Sequence, residues 1–121
     1  MLKTAIAIGQ QAEDAACLYL NNQGLTTLYR NFRGPRGEID AIMQDRDTIV
    51  FIEVRYRKQS RFGSGAESVN HTKQAKLLAT ALYFLQKHPT YNNYPSRFDV
   101  ISISGEVQGN GINWIRDAFQ S

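Results

Sequence analysis

The 121-residue chain holds a single cysteine, Cys17, so it forms no intramolecular disulfide and no cysteine-built metal cluster. A lone thiol of this kind is expected to pack as a small apolar group. Its two histidines, His71 and His88, stand seventeen residues apart, which is not metal-ligand spacing and points to structural roles. No apolar run approaches the length of a membrane span, and there is neither a low-complexity tract nor an internal repeat. The apolar part of the opening Met-Leu-Lys-Thr-Ala-Ile-Ala-Ile-Gly is too short for a signal peptide and runs into a charged amphipathic segment. These absences leave one domain over residues 1–121, cytoplasmic and with no membrane partner, as the expectation.

Acid is missing from two short stretches. Arg30, Arg33 and Arg36 fall in one, and Arg55, Arg57, Lys58 and Arg61 in the other; these seven are half of the 14 basic residues, and no Asp or Glu interrupts either run. The net charge is only +3, so segregation by sign carries the signal rather than the total. Such a surface suits nucleic-acid phosphates, with Tyr29, Phe32, Tyr56 and Phe62 interleaved as candidate base-stacking groups. A merely solvated charged face is the competing reading.

Periodicity predicts a helix from about Lys3 to Asn22, with Ala5, Ala12, Ala15, Ala16, Tyr19 and Leu20 as its apolar stripe and Gly24 as its stop. Glu13 shares a face with Gly9, Ala16, Cys17 and Leu20, an inward position that demands a partner, while Asp14 is expected in solvent. Leu25 to Arg33 reads as a strand and Gly34-Pro35-Arg36-Gly37 as a turn. Two hairpin arms follow, then a polar loop from Lys58 to Glu67. A second helix starts near Ser68 or Asn70 and runs to about His88, stopped by Pro89. Its expected buried stripe is Val69, Leu77, Leu78, Ala81, Leu82 and Leu85. Arg97 to Ser104 reads as a strand buried on both faces, and Ile112 to Ile115 as a short edge strand. Asp99 is expected to pair with Arg97 or cap a loop. The order is helix, three strands, helix, strand and a terminal strand, which makes a mixed α/β domain of two or three layers.

The hairpin concentrates the chemistry. Side chains alternate along a strand, so Ile49, Phe51, Glu53, Arg55 and Arg57 share one face, as do Glu38, Asp40 and Ile42 on the first arm, opposite Ile39, Ala41 and Met43. With the turn centred on Arg46-Asp47, facing residue numbers sum to 93, setting Asp40 against Glu53 and Glu38 against Arg55. A three-residue loop would shift the register by one and break the pairing. Facing like charges are destabilising unless neutralised, and a divalent cation, Mg or Mn, is the natural neutraliser for an all-oxygen donor set. A salt-bridge network or a wetted sheet face is the plainer alternative. Glu13, Glu38, Asp40, Glu53, Arg55 and Lys73 are expected to converge. Asp40, Glu53 and the Val54 carbonyl would be ligands, Glu13 would complete the shell directly or through water, and a neighbouring cation would stabilise charge building on a phosphoryl group.

Asp40, twelve intervening residues and Glu53-Val54-Arg55 resemble the Asp…Glu-x-Lys signature of restriction-endonuclease-like nucleases, the PD-(D/E)XK superfamily. Within it, Gly9…Ala12-Glu13…Ala16, Arg30-Asn31-Phe32-Arg33, Gly37-Glu38-Ile39-Asp40, Val50-Phe51-Ile52-Glu53-Val54-Arg55, Lys73 and Arg97-Phe98-Asp99-Val100 together resemble the YraN-like bacterial family. The resemblance implies the restriction-endonuclease-like αβββαβ core, a mixed sheet flanked by helices. It also implies a helix glutamate of the kind found in archaeal Holliday-junction resolvases. The function expected from it is a nucleic-acid-binding, divalent-metal-dependent endonuclease, with DNA favoured over RNA and a homodimer in keeping with many such enzymes.

One position departs from the pattern. Arg55 stands where these nucleases carry lysine, and arginine keeps its charge but cannot act as a base near neutral pH. Lys73, early in the second helix, is the candidate to replace it; with Asp40, Glu53 and Arg55 it completes the catalytic set. Phosphate contacts are expected from Arg30, Arg33, Arg36, Arg57, Lys58 and Arg61. The rival functions are a catalytically impaired nucleic-acid-binding protein of the same fold, and a protein-interaction module.

Overall fold

The computed structural model describes residues 4–57, 69–105 and 111–120. In chain order these form α1 (Ala5–Asn22), β1 (Thr26–Gly34), β2 (Gly37–Asp45), β3 (Thr48–Arg57), α2 (His71–Lys87), a 3₁₀ turn (Pro89–Tyr91), β4 (Ser96–Ser104) and β5 (Ile112–Phe119). The strands make one mixed sheet ordered β1-β2-β3-β4-β5, parallel between β3 and β4 and antiparallel elsewhere. A parallel neighbour needs a crossover connection, and α2 lies in it. The expected α/β class and αβββαβ order are both present. The terminal strand runs on to Phe119, beyond the four residues expected.

Side-chain caps set the helix starts. Thr4 accepts from the Ala7 N–H at 3.1 Å, and Asn70 accepts from the Lys73 N–H at 2.9 Å, each satisfying a donor that the first turn leaves open. Gly24, at φ 101°, turns the chain out of α1 as a left-handed stop.

The helices cover opposite faces, giving three layers. Ala12, Ala16, Cys17 and Leu20 of α1 pack on Ala41, Met43, Val50, Ile52, Ile101 and Ile103. Leu77, Ala81 and Phe84 of α2 pack on Ile39, Ile42, Ile49, Phe51, Phe98 and Val100. The alternation assigned to β3 and the burial of β4 on both faces are thus observed. Cys17 lies in the first of these cores, and burial pushes its thiol above the ordinary range. Two stripe assignments fail at helix margins: Ala5 is exposed in the first turn of α1, and Leu82 is 59 % exposed. Thr80 and Phe84 are the residues buried beside Leu77 and Ala81, which rotates the inward face of α2 away from Leu82.

The β2–β3 register is as expected. Ala41 faces Ile52, Ile42 faces Phe51 and Asp45 faces Thr48, around a two-residue turn in which Arg46 takes a φ of 59°. The β1–β2 turn lies against α2. A Cβ on Gly34 would stand 3.1 Å from the Tyr83 ring, and one on Gly37 3.4 Å from the Thr80 hydroxyl. Glycine at both positions therefore lets the hairpin seat on the helix.

Candidate cation and nucleic-acid site

Ordinary pairing stops where the site begins. The β2–β3 ladder ends at Ala41–Ile52, one step before Asp40 would face Glu53. The Val54 N–H donates to Asp40 Oδ2 at 2.8 Å instead, a side chain taking the place of a backbone acceptor. On the other flank β1 pairs through Arg30–Ala41 and resumes at Phe32–Ile39. Ile39 and Ile42 both reach the α2 core while Ala41 joins the α1 core. This corrects the strict alternation that set Ile39 opposite Ile42: the strand is irregular at Asp40.

The pairing of the two carboxyls nevertheless survives. Asp40 hydrogen-bonds Glu53, and burial, that hydrogen bond and the Glu53 charge lift the Asp40 carboxyl to about 8, against the pull of the Val54 N–H. Glu53 is 5 % exposed. Its Oε2 stands 3.3 Å from Lys73 Nζ and 3.4 Å from Arg55 Nη2. Lys73 reaches it from the first turn of α2, where Asn70 caps its backbone N–H. Four of the expected residues, Asp40, Glu53, Arg55 and Lys73, are therefore together, and β3 brings Val54 with them.

Glu13 and Glu38 lie one layer further out. Asn31 Nδ2 donates to Glu13 Oε1 at 2.8 Å and to Glu38 Oε1 at 3.1 Å. Glu38 pairs with Arg33 at 3.0 Å across the β1–β2 ladder, which replaces the cross-strand partnership expected with Arg55. The charge of Glu13 still acts on Asp40, helping it keep its proton. Sequence reasoning quoted Asn31 only as part of a motif; its tolerance of left-handed backbone was the available signal.

Among the described residues no three His, Cys, Asp or Glu side chains converge closely enough to hold a metal ion by themselves. The donor set still fits one cation class. Mg²⁺ keeps most of its waters and is held by one or two carboxylates, and the close Asp40–Glu53 pair supplies two.

The basic residues divide. Arg30, its side chain partly exposed, pairs with Asp14 at 2.8 Å, with Glu13 at 3.9 Å. Asp14, expected in solvent, has a side chain 70 % exposed. Arg33 is exposed beside Glu38, and Arg36 is exposed at the hairpin turn. Arg57, at the end of β3, is half-buried. Lys58, Arg61 and Phe62 lie outside the described residues, as does the expected loop to Glu67. The rings of Tyr29 and Phe32 meet Phe84 edge-on at centroid distances of 5.3 and 5.1 Å; Tyr29 stays 38 % exposed and Phe32 is half-buried. Tyr56 packs on the α1 core and donates its hydroxyl to the Gly105 carbonyl at 2.9 Å.

A second polar centre is built on β4 and β5. Asp99, 1 % exposed, accepts from Arg97 Nε at 3.0 Å, Trp114 Nε1 at 2.9 Å and the Asp117 N–H at 2.9 Å. Arg97 also reaches Asp45 at 3.0 Å. The expected Arg97–Asp99 pair is there, extended into a network that pins β5 to β4.

The family model described as "Uncharacterised protein family UPF0102" matches residues 12–103, in keeping with the YraN-like resemblance. A UPF0102 protein of Nitrosococcus oceani is 48% identical over 112 residues, covering 93% of this chain and 90% of that one. One from Pseudomonas putida is 45% identical over 113 residues, covering 93% and 92%. One from Francisella tularensis is 45% identical over 115 residues, covering 94% and 95%. No helix among the described residues is long and apolar enough to cross a membrane.

Proposed function

The chain belongs to the UPF0102 family, and on that premise we propose that it is a cytoplasmic, nucleic-acid-binding endonuclease that cleaves phosphodiester bonds with a divalent cation, Mg²⁺ or Mn²⁺. One observation carries the reading. Two acidic side chains, Asp40 and Glu53, are held in hydrogen-bond contact, and two cations, Lys73 and Arg55, close on Glu53 from a helix and a strand. A scaffold that needed only stability would gain more from apolar residues at such half-buried positions. Asp40 and Glu53, with the Val54 carbonyl, would hold the cation, and Glu13 lies near enough to act through an intervening water. Bound there, a divalent cation supplies a water of lowered pKa and a clamp on the scissile phosphate.

The protein's own groups do the rest. The Val54 N–H fixes one oxygen of Asp40, so that carboxyl is oriented before any ligand arrives. Lys73 and Arg55 place positive charge where a phosphoryl group gains negative charge. Of the two, Lys73 can also exchange a proton or orient a water, which arginine cannot do near neutral pH. The helix lysine, 3.3 Å from Glu53, is thus the candidate to take over the role of the strand lysine that Arg55 replaces. Arg33, Arg36 and Arg57 extend the positive surface for the polynucleotide backbone.

Arg55 itself favours a second reading, in which the protein binds nucleic acid without cutting it. Incubation with branched, duplex and single-stranded DNA, and with RNA, in Mg²⁺ or Mn²⁺ separates the two. Cleavage of at least one substrate is expected, falling by at least about 10³-fold in Asp40→Ala, the scale of losing charge stabilisation at the reacting group. Cleavage that persists in Asp40→Ala refutes the enzymatic reading. Salt-sensitive binding without cleavage supports the second.

A further inference from the structure

Asn31 takes no part in the chemistry above, yet the chain distorts around it. It sits within β1 at a φ of 52°, a left-handed conformation that costs energy in a non-glycine residue and marks positions where the surroundings over-determine the backbone. The β1–β2 register, in which Arg30 faces Ala41 and Phe32 faces Ile39, would set Asn31 opposite Asp40, and that one pair is missing from the ladder. The same twist aims the Asn31 amide at two carboxylates from different elements, Glu13 of α1 at 2.8 Å and Glu38 of β2 at 3.1 Å. Both hydrogens of one NH₂ group are thereby used, one for each acid. Without that donor between them, the two carboxylates would repel. Arg30 flanks Glu13 at 3.9 Å and Arg33 flanks Glu38 at 3.0 Å, but each arginine serves one side only. Asn31 is the group that joins them.

We infer that Asn31 is a positioning residue of the cation site: it ties α1 to β2 through Glu13 and Glu38 and holds Glu13 toward Asp40. The inference rests on the cation-dependent reading and deepens it. Its support is the coincidence of three features at one residue, namely left-handed backbone, a broken ladder opposite the candidate ligand, and a two-acid clamp. The register that sets Asn31 opposite Asp40, together with the 2.8 Å bond from its amide to Glu13, places the clamped acid beside the strand position of the pair. Outer groups that orient metal ligands typically change affinity by about 10–100-fold when removed.

Two substitutions isolate the clamp from the backbone. Glycine accepts φ 52° without strain, so Asn31→Gly removes the amide and keeps the twist; Glu13→Ala removes the clamped acid. Mn²⁺ affinity of the full chain, measured by calorimetry without any nucleic acid, is the readout. Each single variant is expected to weaken Mn²⁺ binding by about tenfold, and the double variant to match Glu13→Ala within about twofold, since the clamp then has nothing to aim. Unchanged affinity in Asn31→Gly, or a full additive loss of about a hundredfold in the double variant, overturns the inference while leaving the enzymatic reading intact. A wild-type protein that binds no Mn²⁺ overturns both. If Asn31→Gly does not fold, Asn31→Asp takes its place in the same cycle, because it tolerates the backbone but cannot donate to either acid.

Discussion

Two acidic centres sit on one sheet, and they are built on opposite principles. Asp99 is surrounded by donors, with Arg97, the Trp114 indole and the Asp117 amide all directed at its two oxygens. Asp40 shares its surroundings with a second carboxyl and is pushed to about 8. The first arrangement stabilises a buried charge; the second resists having one. A carboxylate whose oxygens are saturated by the protein has no lone pair left for a ligand, whereas one kept protonated by its neighbour can release that proton to solvent in exchange for a cation. The contrast separates a residue that holds the fold from one that is held for use.

The sharpest way to break this comparison is to neutralise each acid in turn. Asp99→Asn is expected to destabilise the protein by about 1–3 kcal/mol, because the amide replaces one acceptor oxygen with a donor facing Arg97, Trp114 or the Asp117 N–H, while Arg97 keeps Asp45. Asp40→Asn is expected to be neutral or stabilising in the absence of divalent ions at pH 9, where the wild-type carboxyl is ionised. Denaturant melts of both variants check this, and equal losses would erase the distinction.

A pH series gives the next largest effect. In the unfolded chain Asp40 ionises near 3.8, and in the folded one near 8. The folded state therefore holds the proton through this window, so its contribution is complete below about pH 4 and declines as pH rises toward 8. Cation uptake must expel the same proton, so Mn²⁺ affinity should rise by about tenfold per pH unit below pH 8 and then level off. Calorimetry in buffers of different ionisation enthalpy reads the proton directly.

Smaller effects test the surrounding charges. Lys73→Ala should slow cleavage by about 10²–10⁴-fold if the helix lysine moves a proton or orients the water, and single-turnover rates with Lys73→Arg distinguish that role from charge alone. Arg36→Ala should weaken nucleic-acid binding only a few-fold and lower the slope of log affinity against log salt by about one. An unchanged slope would remove Arg36 from the contact surface.

Much of this was legible in the sequence because it depended on local rules. The Arg46-Asp47 turn fixed the β2–β3 register, and strand alternation then delivered Glu53 to the α2 face and Val54 to the α1 face. Lys73 followed from its place early in the second helix, whose cap the sequence left between Ser68 and Asn70. What escaped were effects of non-local geometry. The irregularity at Asp40 and the left-handed Asn31 arise where β1, β2, β3 and α1 meet, and no period within one segment encodes them. Charge proximity likewise failed as a guide to partners: Arg30 went to Asp14 of α1, and Glu38 to Arg33, because the helix and the twisted first strand lie closer than the arm carrying Arg55. Phe32, read as a candidate stacking ring in a basic run, is half-buried against Phe84 of α2, while Tyr29 touches the same ring and stays 38 % exposed.

Cys17 lies in the layer between α1 and the sheet, its sulfur shut away from solvent and biased toward the thiol form. Thiolate-directed reagents therefore meet it only when the first helix lifts off the strands. This solitary sulfur is a built-in clock for the breathing of the layer that carries Glu13, ticking without any label having to be engineered into the molecule.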